Sequence, residues 1–153
     1  MMPSRLVIYV DGSSRGNPGP AGIGVAVFDA DDKEPEAPRF EFSRSIGNAT
    51  NNVAEYEALL YALKWLVETK PVQAVINVDS ELVYKQVFGE YRIKVSHIVH
   101  LVNRVRNLLS QAKNTSIRLI PREENNYANR LAQKVTKEEV KNAKKKKALD
   151  NGA

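Results

Sequence analysis

Leu6-Val7-Ile8-Tyr9-Val10-Asp11-Gly12-Ser13-Ser14-Arg15-Gly16-Asn17-Pro18-Gly19 begins as a run of β-branched and aromatic residues and breaks up into turn formers. The first half suits a pleated strand. The second half, continued by Pro20, favours a tight turn. A second strand is expected over residues 22–30 and a polar, proline-bearing loop over 31–38. In residues 39–46, Phe40, Phe42 and Ile46 suit a half-buried third strand. Three successive strands with short connections predict an antiparallel meander.

The hydrophobic period then changes. Ala54, Tyr56, Leu59, Leu60, Leu63, Leu66 and Val67 recur at helical spacing, and Pro71 follows as a stop. Residues 74–78 are apolar nearly throughout, as a central strand would be. A short helix is expected over residues 81–88, ending at Gly89. A longer one carries Ile98, Leu101, Val102, Val105, Leu108 and Leu109. Residues 117–120 form a last strand. A closing helix begins near Asn125 and carries Tyr127, Ala128, Leu131, Ala132 and Val135. The order βββαβααβα predicts an α/β fold with a mixed five-stranded sheet. From about Lys137 onward the chain is charged and lacks an apolar face, so a basic, flexible tail is expected over residues 137–153.

With 153 residues, the chain suits one domain with one core. Its net charge of +5 is compatible with a polyanionic partner. Much of the excess sits in Lys141 and in Lys144, Lys145, Lys146 and Lys147, which leaves the body nearly neutral. There is no cysteine, which excludes a disulfide scaffold, a thiol nucleophile and cysteine-ligated zinc. Two histidines do not make a His-rich metal site. No apolar run approaches the ~20 residues needed to span a bilayer. Met1-Met2-Pro3-Ser4-Arg5 carries no signal-peptide core. The expectation is a cytoplasmic monomer with no membrane contact.

Three acids fall at suggestive places. Asp11 ends the first strand, Asp79 ends the apolar strand, and Glu55 lies in the first turns of the long helix, after Thr50-Asn51-Asn52. Sites in α/β sheets collect at strand ends. If the first and fourth strands are neighbours, Asp11 and Asp79 meet, and clustered carboxylates call for a cation between them. Oxygen ligands without His or Cys favour Mg²⁺ or Mn²⁺. Each acid also has a plainer reading. Asp79-Ser80 could cap the next helix, and Glu55 could simply favour the helix dipole.

The sequence resembles the type 1 ribonuclease H family. The matching pieces are Asp11 through Gly19, then Thr50-Asn51-Asn52-Val53-Ala54-Glu55-Tyr56, then Val78-Asp79-Ser80, then Pro121 through Ala132. They fall in family order and cover roughly residues 5–136, which implies a ribonuclease H-like fold with its catalytic domain in residues 1–136. The resemblance implies an endonuclease that cuts the RNA strand of an RNA/DNA hybrid with two divalent ions. The products would be 5′-phosphate and 3′-hydroxyl ends. Asp11 would touch both ions, Glu55 and Asp79 the ion on the leaving-group side, and the fourth ligand the ion that activates water.

Two departures from the family pattern bear on this. The fourth ligand is usually an aspartate, and here Asn129 stands in its place. An amide oxygen still coordinates a hard cation but adds no charge. Many members also have a His in the loop before the last helix, whereas this loop reads Ile120-Pro121-Arg122-Glu123-Glu124-Asn125. His97 and His100 read as ordinary surface or groove residues. The resemblance places Ser14, Asn17, Asn51, Asn52 and Glu81 near the RNA strand. It places Asn48 and Thr50 near a phosphate of the DNA strand, and Arg122 near phosphate. Thr50 or Asn51 would also cap the long helix. The linker residues 88–94 are too short for the basic protrusion that some relatives carry. The alternatives are a catalytically weakened nucleic-acid-binding module of the same fold, or a nuclease that also cuts double-stranded RNA.

Overall fold

The computed structural model describes residues 4–32 and 37–151. The expected loop over 31–38 lies partly outside them, as do residues 1–3 and 152–153. The strands are β1 (Arg5–Ser14), β2 (Gly19–Asp29), β3 (Phe40–Ala49), β4 (Gln73–Val78) and β5 (Thr115–Leu119). The helices are α1 (Asn51–Thr69), α2 (Glu81–Val87), α3 (Ser96–Gln111) and α4 (Asn126–Asn151), with a single 3-10 turn at Arg122–Glu124. The element order is the expected one.

The strands form one sheet in the order β3-β2-β1-β4-β5. The first three are antiparallel, and β4 and β5 run parallel to β1. This is the mixed sheet read from the sequence, with β1 and β4 as neighbours. The core lies between the sheet and α1, where Ile8, Val10, Val25, Leu59, Leu63, Ile76 and Val78 are all buried. The Tyr56 hydroxyl donates to Gln86 Oε1 at 2.7 Å, a buried bond that ties α1 to α2. Arg106 Nε donates to the Val87 carbonyl at 2.8 Å and holds α3 to the end of α2.

Two glycines set how close the helices come to the sheet. A Cβ on Gly12 would lie 2.1 Å from the Ala54 carbonyl carbon and 2.4 Å from the Glu55 nitrogen. A Cβ on Gly24 would lie 2.3 Å from the Ala128 carbonyl oxygen. Gly24 is the cross-strand partner of Asp11, so α1 and α4 both press on the sheet around one point.

Two boundaries differ from expectation. The β2 strand begins at Gly19 because the turn-rich stretch pairs with Ala49 as soon as the chain reverses. The expected flexible tail is a continuation of α4: the helix runs through the supposed boundary at 136 to Asn151. Packing changes there while secondary structure does not. Thr136 is buried, and Lys137, Lys141 and Lys144 are exposed. Lysine, alanine and glutamate are good helix formers, so the helix persists without a partner surface.

Replacing Gly12 or Gly24 with Ala should each cost about 3 kcal/mol of unfolding free energy, the upper end for overpacking. Gly47→Ala meets nothing within 4 Å and should cost only about 1 kcal/mol through its positive φ of 79°. Urea denaturation measures all three, and equal losses would contradict the close-approach account.

Candidate active site

Each acid reaches the site from a different element. Asp11 lies on β1, is 2 % exposed, and sits where Gly12 lets α1 descend onto the strand. That descent delivers Glu55, whose N–H is at the point of closest approach. The N-cap of α1 is Thr50, whose hydroxyl accepts from the Val53 N–H at 3.2 Å. Glu55 lies beyond the first turn, so the plain dipole reading does not account for it. Asp79 follows β4 directly. The cap of α2 is Ser80, which accepts from the Val83 N–H at 3.2 Å. A hydroxyl does the capping in both helices, and both carboxylates remain available.

Asp11, Glu55 and Asp79 each offer an oxygen, and these oxygens lie within 4.8 Å of one another. Among the described residues this is the acidic or histidine cluster tight enough to hold a metal ion. Burial raises the Glu55 pKa well above its usual value, reinforced by the Asp11 charge, a hydrogen bond with Asp11, and the Asp79 charge. Asp79 is raised by burial and by Asp11, against the lowering effect of the Asn125 hydrogen bond and the Arg122 charge. Mutual repulsion at short range with hard oxygen donors is the electrostatic condition a divalent cation relieves. The residues present therefore fit such an ion.

Asn129, one turn into α4, donates from Nδ2 to Asp11 Oδ2 at 2.6 Å. It joins the cluster, as the sequence suggested, but as a donor to an acid, with Oδ1 left over to accept or ligate. Asn125 was read from the sequence as a helix start inside the last matching piece, with no site role. It is 1 % exposed and donates from Nδ2 to Asp79 Oδ2 and to the Val10 carbonyl, both at 2.8 Å. It thus ties Asp79 to the end of β1. Its Oδ1 is buried without a partner. The four-residue spacing between Asn125, just before α4, and Asn129 in its first turn was the available clue.

Beside the acids lies an open groove of about 560 Å³ lined by Asn17, Thr50, Asn51, Asn52, Glu55, Asp79 and Arg122 among others. His97, at the start of α3, lies on its wall. Asn17 Oδ1 accepts from the Asn51 N–H at 3.1 Å, and Asn51 Oδ1 accepts from the Ser14 N–H at 2.9 Å. The Ser14 hydroxyl is spent on backbone, its one proton shared between the Ala49 carbonyl at 2.7 Å and the Gly16 carbonyl at 2.5 Å. Two expected contacts fall elsewhere. Asn48 lines a separate cavity with Arg44 and Lys64. Glu81 is exposed on α2, paired with Lys85 at 2.8 Å and accepting from the Tyr91 hydroxyl.

A family profile described as "Reverse transcriptase-like" matches residues 9–135. The bifunctional protein Rv2228c of Mycobacterium tuberculosis is 41 % identical over 128 residues, 84 % of this chain and 34 % of that protein. The chain thus spans about a third of that relative's length. The crystal structure of RNase H1 from Halobacterium salinarum NRC-1 superposes with a TM-score of 0.80 at 35 % identity, covering 88 % of this chain and 98 % of that one. LC11-RNase H1, solved in complex with an RNA/DNA hybrid, gives 0.77 at 34 % identity, covering 88 % and 99 %. Sheet order, acid cluster and these likenesses agree, and the chain belongs to the type 1 ribonuclease H family.

Proposed function

We propose that the chain is an endonuclease that hydrolyses the RNA strand of RNA/DNA hybrids, using two Mg²⁺ or Mn²⁺ ions and leaving 5′-phosphate and 3′-hydroxyl ends. The observation that carries this reading is the meeting of Asp11, Glu55 and Asp79 within 4.8 Å at the edge of a polar groove. The likeness to a ribonuclease H1 solved with a hybrid supports the substrate class. Bound divalent ions would polarise a phosphoryl oxygen and lower the pKa of an attacking water.

The protein's own groups have distinct parts. Asp11, Glu55 and Asp79 hold the ions, and Asn129 offers Oδ1 as a neutral fourth ligand. Asn125 fixes the Asp79 carboxylate through its amide. Asn17, Thr50, Asn51 and Asn52 present amides and a hydroxyl to the groove. Groups of that kind suit the 2′-hydroxyls and base edges of a wide minor groove. Arg122 brings a positive charge to the same groove for a phosphate. Ser14 acts at one remove, holding the hairpin that carries Asn17. Asn48 and Glu81 would need an extended substrate to be reached. No helix among the described residues is long and apolar enough to cross a membrane. A cytoplasmic monomer is the setting we propose.

The Asn129–Asp11 hydrogen bond favours a second reading, a nucleic-acid-binding module of weakened activity. An amide that donates to Asp11 adds no negative charge to the site.

A labelled hybrid incubated with Mg²⁺ or Mn²⁺ should be cut in its RNA strand, and Asp11→Asn should slow cutting by at least about 100-fold. Asn129→Asp should hasten it in Mg²⁺. A dead wild type beside an active Asn129→Asp would establish the second reading, and parallel RNA/RNA and DNA/DNA duplexes define the substrate range. Asn125→Ala frees Asp79 and should lower activity or metal affinity about 10–100-fold, as for other groups that orient a ligand. Calorimetric metal titration checks this, and an unchanged affinity and rate would remove Asn125 from the site. A further expectation follows from the raised Glu55 pKa. A carboxyl with a higher pKa folded than unfolded stabilises the fold below its ordinary value of 4.5, and that contribution is lost as pH climbs through the folded value. Without divalent ions, Tm should therefore fall as pH rises above the ordinary value of 4.5, and fall less in Glu55→Gln. Identical melting curves would contradict the burial and repulsion that raise the Glu55 pKa.

A further inference from the structure

The lysine-rich end of α4 is the most strongly charged feature of the surface, and nothing in the groove accounts for it. The path of the helix shows where it goes. Ala128 packs over Gly24 and Ala132 over Gly22. Gly24 pairs with Asp11 and Gly22 with Ser13, so α4 runs along β1 toward Ser14. Beyond Thr136 it leaves the sheet at the end that carries the Ser14–Asn17 hairpin and the Asn48–Asn52 segment. The groove residues Asn17, Thr50 and Asn51 belong to that same end.

The lysines are also ordered by helical period. Lys134, Lys137, Lys141 and Lys144 recur at intervals of three or four residues and Lys145 lies four beyond Lys141, which places them on one stripe. They are exposed. Lys144, Lys145, Lys146 and Lys147 follow without an acid. At about 1.5 Å per residue, the helix from Thr136 to Asn151 extends about 22 Å beyond the body. A duplex presents about one phosphate charge per 1.7 Å of axis, so that reach faces six or seven base pairs.

We propose that the end of α4 is a phosphate-binding arm that grips the backbone of the same duplex beyond the part seated in the groove. This rests on the hybrid reading of the groove and adds to it a second, sequence-independent contact region. A nearly neutral body whose groove carries acids and the single cation Arg122 gains its main electrostatic hold from this arm. Amides and hydroxyls choose the substrate, and lysines retain it.

The test uses the full chain with Lys141, Lys144, Lys145, Lys146 and Lys147 all replaced by Gln, a good helix former, and a companion with the same five replaced by Arg. Binding of labelled hybrids of about 24 and about 8 base pairs is followed by anisotropy in EDTA between about 50 and 200 mM salt. On the long hybrid, the slope of log affinity against log salt should be shallower by about 2–4 in the Gln variant, at about 0.9 per lost phosphate contact. The Arg variant should keep the wild-type slope, and all three proteins should bind the short hybrid within about twofold of one another because the arm overhangs it. Equal slopes on the long hybrid, or equal losses on both lengths, overturn the proposal. Loss of binding to vesicles of anionic lipid without loss on the long hybrid would assign the arm to a membrane surface and equally overturn it. Cleavage of the short hybrid in Mn²⁺ tests the groove by itself. Failure there by the wild type would end the hybrid-cutting reading, while the salt slopes would still report on the arm.

Discussion

Everything at the site depends on backbone lying against backbone at Gly12. Strand β1 and helix α1 approach until the Gly12 α-carbon lies where no side chain could fit beside Ala54 and Glu55. That contact brings Glu55 to Asp11. The parallel pairing of β1 with β4 then brings Asp79, and the approach of α4 at Gly24 brings Asn129. The charges alone would fly apart: burial first, and then the neighbouring acid charges, raise the pKa values of Glu55 and Asp79. Packing holds them together, and the fold stores that repulsion as an affinity for cations.

The polar residues around the acids divide the remaining work. Thr50 and Ser80 cap α1 and α2 with hydroxyls, so no carboxylate is used on a helix end. Asn125 and Asn129, a turn apart, each hold one acid. Ser14, Asn17 and Asn51 bond to one another and to the hairpin backbone, which stiffens the groove wall before anything binds. A preset wall reduces the ordering cost of binding a long polar substrate.

Most of the architecture was legible because period and punctuation are strong in this chain. The alternation in β1, the helical stripe of α1 and the apolar run of β4 each report burial directly. The three acids stood at strand and helix ends, where their position could be read. Other features were hidden for physical reasons. Asn125 earns its place through contacts with Val10 and Asp79, 115 and 46 residues away, which no local pattern shows. The β2 start at Gly19 is set by pairing with Ala49, against the turn preference of its residues. The bond from the Tyr91 hydroxyl to Glu81 comes from beyond the end of α2 and leaves no mark in the helical pattern. The last turns of α4 are helical by propensity alone, and an apolar-face criterion passes over such a segment.

The Asn129–Asp11 bond spans 118 residues of chain. While a ribosome is still making this protein, the Asp11 strand emerges long before the helix that completes its surroundings. Glu55 and Asp79 come out in between, with the sheet still lacking its last strand. A nascent chain therefore carries only fragments of the cluster. The cluster is assembled only once the segment carrying Asn125 and Asn129 has been made and has packed against β1.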